Sequence, residues 1–184
     1  MRKDDSLTDA SRFVALILRH KPSAIGITLD AHGWARVDEL VAGVAKTRPF
    51  TKEMLVRIVE EDEKKRYAFN EDGSLIRANQ GHSVDVDVEL VECAPPAILY
   101  HGTAKKYIDA IERDGLLPRS RLYVHLSAEE ATAEKVGKRH GEAVILLVDA
   151  AAMACDGHVF YRSANGVWLV KAVPTAYIKR KTEK

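Results

Sequence analysis

Near its middle the chain carries Ala94-Pro95-Pro96, and no other feature limits the possible fold as strongly. Neither proline can donate to a ladder or sit in a central strand, so regular structure should stop there, and a domain boundary is expected between residues 1–93 and 97–184. A length of 184 residues leaves room for two small domains. The two halves also differ in charge. Residues 1–92 hold 14 Lys and Arg against 17 Asp and Glu, a balance of −3, and residues 93–184 hold 14 against 10, a balance of +4. With a net charge of only +1 for the whole chain, any contact with a polyanion must be a local patch and not a whole-surface field.

The first half reads as three helices followed by a hairpin. Phe13, Leu16, Ile17 and His20 fall at helical spacing over residues 10–20, and Val37, Leu40, Val41 and Val44 do so over 37–46. Between them Ile25–Asp30 reads as a short strand running to a Gly33-Trp34 turn. Thr51 is placed to cap a helix over 52–63. Tyr67–Asn70 and Ser74–Arg77, joined through Glu71-Asp72-Gly73, read as a hairpin with an Asp-Gly turn. Helices followed by a two-stranded wing form a winged-helix pattern, which handles nucleic acid in many proteins and only protein in others. Val84–Val88 alternates apolar and acidic residues, as a half-buried strand does.

The second half reads as a compact α+β sheet domain. Strands are expected over Ile98–Thr103, Leu122–Leu126, Val144–Val148, Val159–Tyr161, Val167–Val170 and Ala176–Ile178, with helices over 104–114 and 128–139, the latter capped by Ser127. The unbroken apolar run Val144–Val148 suggests a strand buried on both faces.

Several classes of function are disfavoured. Apolar content of 46% with 30% charged residues is ordinary for a globular protein. No apolar run approaches the roughly 20 residues that span a bilayer, and Met1–Asp5 is not followed by a signal core, so a cytoplasmic protein without membrane contact is expected. Cys93 and Cys155 lack metal-ligand spacing and imply no disulfide framework. There is no G-x-x-x-x-G-K-[ST] loop, no G-x-G-x-x-G fingerprint, no zinc spacing and no G-x-S-x-G elbow. An enzyme with this sequence must load its catalysis on Arg and His, which means stabilising phosphate charge.

The cationic residues are distributed accordingly. Leu16-Ile17-Leu18 runs into Arg19, His20 and Lys21 and stops at Pro22, which puts three kinds of cation at a helix end. Tyr100-His101-Gly102-Thr103 ends a strand in exposed donors suited to a ribose or an amide. Arg121, Tyr123 and His125 would share one face of a strand, an arrangement that suits a cleft better than a core. Arg77–Ser83 is a polar connector, and Lys138–Gly141 reads as an ordinary helix end.

Taken together, Leu18–Pro22, Leu29-Asp30 with Gly33-Trp34, Arg77–Ser83, Leu99–Thr103, Val124–Ser127, Arg139–Gly141 and Ser163–Leu169 resemble the RNA (tRNA) 2′-phosphotransferase family over nearly the whole chain. The resemblance implies an N-terminal winged-helix lobe for RNA and a C-terminal ADP-ribosyltransferase-like lobe for NAD. It implies an NAD-dependent transferase acting on an internal RNA 2′-phosphate, as left in tRNA splicing. In that reaction the 2′-phosphate displaces nicotinamide to give an ADP-ribosylated 2′-phospho-RNA. The neighbouring hydroxyl then releases 2′-OH RNA and ADP-ribose 1″,2″-cyclic phosphate. Carried onto this sequence, the catalytic set is Arg19, His20, Arg77 and Arg121, in a cleft between lobes. The NAD-binding set is His101, Gly102, Thr103, His125, Ser127, Asn165 and Gly166, with no metal. Asn165-Gly166 stands where many protein-modifying ADP-ribosyltransferases carry a catalytic Glu, as befits an acceptor that is already ionised. Tyr123 departs from the His that is commoner there in the family. Alternatives are an ADP-ribosyltransferase acting on 5′-phosphate ends of RNA or DNA, and a non-catalytic RNA-binding module. A monomer is expected.

Overall fold

Thr51 does cap a helix: its hydroxyl accepts the Met54 N–H at 3.3 Å and α3 runs Lys52–Glu60. The expected extension to residue 63 does not form, because Asp62 is buried and its carboxylate turns back to accept the N–H groups of Lys64 and Arg66. The structure, a computed structural model, describes residues 3–181. Among them are six α-helices and ten strands in three small antiparallel sheets, a mixed α/β architecture. The chain divides into two units, Met1–Glu89 and Leu90–Lys184. The division falls ahead of Pro95-Pro96 because β4 (Val91–Glu92) already pairs with β8 (Phe160–Arg162) of the second unit.

In the first unit α1 spans Lys3–Arg19. Its buried stripe is Val14, Ile17 and Leu18, whereas Leu16, expected inside, is 39% exposed. These residues meet Leu40 and Val44 of α2 (Val37–Ala45), Leu55 and Ile58 of α3, and Ile76 in one apolar core. The hairpin forms as read, β2 (Tyr67–Phe69) against β3 (Leu75–Ala78), and the Asp72 carboxylate accepts the Ser74 N–H at 2.8 Å in its turn. A third strand, β1 (Ala35–Arg36), pairs with the other edge of β3.

Two expected strands of the first unit are absent, and in the second the one expected over Ala176–Ile178 is displaced, since Thr175–Tyr177 is a 3-10 turn and strand begins at Ile178. Pro22–Ile25 forms a 3-10 turn closed by Gly26 at φ +75°, since Pro22 fits the first helical position and glycine the left-handed cap. Residues 84–88 are extended but join no sheet: the Asp87 N–H goes to the Ala31 carbonyl at 2.9 Å.

In the second unit one sheet has the order β10-β7-β5 (Ile178–Arg180, Ala143–Asp149, Ile98–Ala104) and another β4-β8-β9-β6, with β9 at Trp168–Val170 and β6 at Val124–Leu126. Helix α4 (Ile108–Asp114) covers the first sheet through Ile108 and Ile111, and α5 (Glu130–Gly137) lies on β5. The apolar run in β7 is not buried on both faces. Leu146 and Val148 are buried while Ile145 and Leu147 are only half-buried. Nor does Ser127 cap α5. Its backbone exchanges two hydrogen bonds of 2.8 Å with Tyr100 and ties β5 to the end of β6.

Gly102 makes the α5 contact possible. A Cβ built there would stand 1.7 Å from the Ala133 carbonyl oxygen, so the helix backbone rests directly on the strand. Gly137 repeats the device from the helix side, where a Cβ would stand 2.9 Å from the Thr103 carbonyl oxygen.

Candidate functional site

The end of α1 and the segment after β3 are stitched together. The Ser83 N–H donates to the Arg19 carbonyl at 2.9 Å, satisfying a carbonyl that the helix leaves open. That brings the Ser83 hydroxyl to 2.9 Å from Nδ1 of His20, which fixes the ring. Gly81, at φ +90°, lies against the Arg19 guanidinium, 3.6 Å from where a Cβ would stand. Arg19 and His20 therefore owe their placement to residues more than sixty positions away.

Arg77 is held from several sides. It leaves β3 with its guanidinium 4.4 Å from the centroid of Trp34, a cation–π stack. One nitrogen donates to the His32 carbonyl at 3.4 Å and to the Glu89 carboxylate at 2.9 Å. Trp34 is set by Asp30, whose carboxylate accepts the N–H groups of His32 and Trp34 at 2.9 Å each. The Arg77 fork is thus pre-oriented, as bidentate phosphate recognition requires.

His82 lies among these cations. It is 3% exposed, and no group among the described residues hydrogen-bonds its Nε2. Burial first, then the charges of Arg19, His20 and Arg77, lower its pKa from 6.5 to about 4. His82 is therefore neutral at pH 7, and its neighbours in the chain, Gly81 and Ser83, meet Arg19 and His20. Three of the four expected catalytic residues are gathered within the first unit.

The fourth, Arg121, belongs to the second unit. Its N–H donates to the Pro118 carbonyl at 3.0 Å in a turn, and β6 starts only at Val124, so Arg121 and Tyr123 are not on the expected strand. Among the described residues no carboxylate pairs with Arg121, and its pKa is lowered by desolvation, although a guanidinium stays protonated regardless. Tyr123 stacks edge-on to Tyr161 at 5.6 Å and carries the Lys171 ammonium 4.2 Å from its ring centroid.

The residues expected to hold NAD fall into two places. On β5, His101 is half-buried at residue level, and its Nδ1 lies 3.1 Å from the His125 carbonyl. Because a carbonyl only accepts, Nδ1 carries the proton and Nε2 keeps a lone pair. Desolvation lowers the His101 pKa, partly offset by that bond. Thr103 is buried beside it, and Gly102 admits α5. Ser127 completes this group through its bridge to Tyr100. Asn165 and Gly166 lie in the turn between β8 and β9, where the buried Ser163 hydroxyl donates to the Asn165 side-chain oxygen at 2.7 Å and Gly166 sits at φ +79°. No group of three or more His, Cys, Asp or Glu able to hold a metal occurs among the described residues. No helix there is long and apolar enough to cross a membrane.

Sequence reading alone did not single out Ser83, Trp34, His82 or Glu89 as parts of the site. Trp34, His82 and Ser83 lie inside the quoted motifs, while Glu89 carried no signal.

The family model described as “RNA 2'-phosphotransferase, Tpt1 / KptA family” matches residues 5–172. The chain belongs to this RNA 2′-phosphotransferase family. Relatives named “Probable RNA 2'-phosphotransferase” include one from Nostoc punctiforme, 49% identical over 178 residues, with 96% of this chain and 98% of the relative covered. One from Pseudomonas aeruginosa is 48% identical over 176 residues, covering 95% and 97%. Another from Fusobacterium nucleatum is 49% identical over 177 residues, covering 95% and 99%. The matched span, residues 5–172, contains both the Arg19–His20–Arg77 cluster and the β5 group.

Proposed function

We propose that this chain is an NAD-dependent RNA 2′-phosphotransferase that removes an internal 2′-phosphate from RNA, with a winged-helix-like first unit and an ADP-ribosyltransferase-like second unit. The observation that carries the reading is the gathering of Arg19, His20 and Arg77 about the 81–83 turn: Gly81 lies against the Arg19 guanidinium, Ser83 holds His20, and Arg77 stacks on Trp34, next to the Gly33 that faces His82. Such a cluster is costly without an anion and suits a phosphate monoester, which brings close to two charges at pH 7.

Arg77, stacked on Trp34, presents its guanidinium to the phosphate oxygens, and Arg19 adds a second fork. Charge grows on the phosphate as the RNA leaves, and fixed guanidinium donors stabilise that growth without reorganising. His20, oriented by Ser83, donates a proton to the departing 2′-oxygen. Arg121, without a carboxylate partner among the described residues, is a further cation that the second unit offers to an anionic ligand.

The NAD site fits the β5 group. A lone pair on His101 Nε2, fixed by the Nδ1–H bond to His125, accepts from a ribose or amide donor. Thr103, His125 and Ser127 offer further polar contacts, Gly102 keeps the backbone low under α5, and Asn165-Gly166 supplies a turn with no carboxylate. When bound there, NAD supplies an ADP-ribose acceptor for the phosphate.

The deciding experiment incubates a short RNA bearing one internal 2′-phosphate with the protein, with and without NAD. The reading requires 2′-OH RNA, free nicotinamide and a cyclic phosphate of ADP-ribose only when NAD is present. ADP-ribose left stably on RNA or DNA 5′ ends, with no loss of 2′-phosphate, would replace it by end modification.

A further inference from the structure

The cation cluster is crossed by an acidic segment. Residues 84–89 run extended past the Gly33-Trp34 turn, with Val84, Val86 and Val88 half-buried and Asp85, Asp87 and Glu89 exposed. The segment is pinned where the Asp87 N–H meets the Ala31 carbonyl and where Nδ1 of His32 lies 3.0 Å from the Asp87 carbonyl. At its end Glu89 adopts φ +56°, unusual for a residue with a side chain, while its N–H donates to the Asp87 carboxylate at 2.9 Å. Sparsely populated backbone persists only where the surroundings impose it. Here it delivers the Glu89 carboxylate to Arg77 at 2.9 Å. The Arg77 side chain is only 17% exposed and Glu89 56%, so the pair is weakened by water on one side only.

We propose that Glu89 is a specificity-determining residue: its carboxylate occupies Arg77 in the free protein and yields only to a phosphate monoester. This rests on the reading that Arg77 takes the RNA 2′-phosphate. Every nucleotide of RNA offers a backbone phosphodiester of one negative charge, equal to that of a carboxylate. Exchanging Glu89 for a diester gains no charge on Arg77 and gives up an intramolecular partner already in place. A monoester carries nearly twice the charge and three terminal oxygens, so it displaces the carboxylate. The acidic residue thus makes the cluster a poor general RNA binder and a selective monoester binder, in keeping with the −3 balance of residues 1–92. A complete set of cations without a counter-ion would bind any RNA strand.

The test compares binding of one fluorescent RNA with and without a single internal 2′-phosphate, without NAD, for the natural chain, Glu89→Gln and Asp85→Asn. Asp85→Asn removes the same charge from the same segment without touching Arg77. The expected result is a preference of the natural chain for the 2′-phosphorylated RNA that shrinks about fivefold in Glu89→Gln, mainly because unmodified RNA binds tighter. Asp85→Asn should move that ratio less than about twofold. An unchanged ratio in Glu89→Gln, an equal change in Asp85→Asn, or no preference in the natural chain overturns the proposal. Turnover of the 2′-phosphorylated RNA with NAD is measured separately. Its absence, with the binding pattern intact, would refute the transferase reading and leave the Glu89 selectivity standing.

Discussion

The two units solve opposite problems. The first assembles charge: Arg19, His20 and Arg77 gather at a helix end and a strand, with a carboxylate on one of them and a neutral imidazole among them. The second assembles shape: α5 rests on β5 through Gly102 and Gly137, and its polar groups, His101 and Ser127, are fixed by backbone bonds and not by ion pairs. A charge site depends on side chains brought together from distant positions, and its failures should appear in turnover and pH dependence. A shape site depends on backbone approach, and its failures should appear in stability.

The largest effect expected from that contrast is in the second unit. Gly102→Val places atoms where the Ala133 carbonyl stands, so α5 must leave β5 at a cost above about 3 kcal/mol. The chain has one tryptophan in each unit, Trp34 and Trp168, so single-tryptophan backgrounds follow each unit in urea. The Trp168 signal should lose its transition early while the Trp34 signal keeps its midpoint. Equal losses in both signals would break the distinction.

Arg77→Ala comes next, with the opposite signature. Turnover of 2′-phosphorylated RNA should fall about 100- to 1,000-fold, while stability falls by only about 1 kcal/mol, because the partners of the guanidinium (Trp34, the His32 carbonyl and Glu89) lie outside the apolar core. Arg77→Lys should recover only a small part, since an ammonium lacks the fork held over Trp34.

The pH dependence of the first unit sharpens the comparison further. His82 takes a proton near pH 4 when folded and near 6.5 when unfolded, so between these values the unfolded chain binds more protons. Its contribution is therefore complete above about pH 6.5 and is lost as the pH falls toward 4. At pH 5 the loss is about 2 kcal/mol. The unfolding free energy of the natural chain should drop from pH 7 to pH 5 by more than that of His82→Gln by that amount. Identical slopes would mean that burial and the neighbouring cations do not depress the His82 pKa. The smallest effect is Thr51→Ala, about 1 kcal/mol from a lost cap bond, read at the Trp34 signal alone.

Much of the local structure was legible because its causes are local. The Asp72-Gly73 turn, the Thr51 cap and α2 each depend on residues a few positions apart. The failures share one cause. The alternation in Val84–Val88 reports a two-sided extended segment and carries no information about a partner strand; its hydrogen bond goes to Ala31. Ser127 has the right chemistry for a cap, yet a bridge to Tyr100 takes its backbone first. Ile25–Asp30 looks like a strand by composition, but Pro22 and Gly26 impose a tight turn. The site divides in the same way. Arg19, His20 and Arg77 stand in recognisable motifs. No local rule links position 20 to Ser83 or position 77 to Glu89, so the residues that orient the cations emerge only from the fold.

The central claim, that charge in the first unit acts on phosphate while shape in the second holds NAD, is tested most directly by titrating NAD into Arg77→Ala and His101→Ala and measuring turnover of each. The account predicts NAD affinity within about twofold of the natural chain for Arg77→Ala despite lost turnover, and at least about tenfold weaker NAD binding for His101→Ala. Loss of NAD binding in Arg77→Ala, or full NAD binding in His101→Ala, would contradict it.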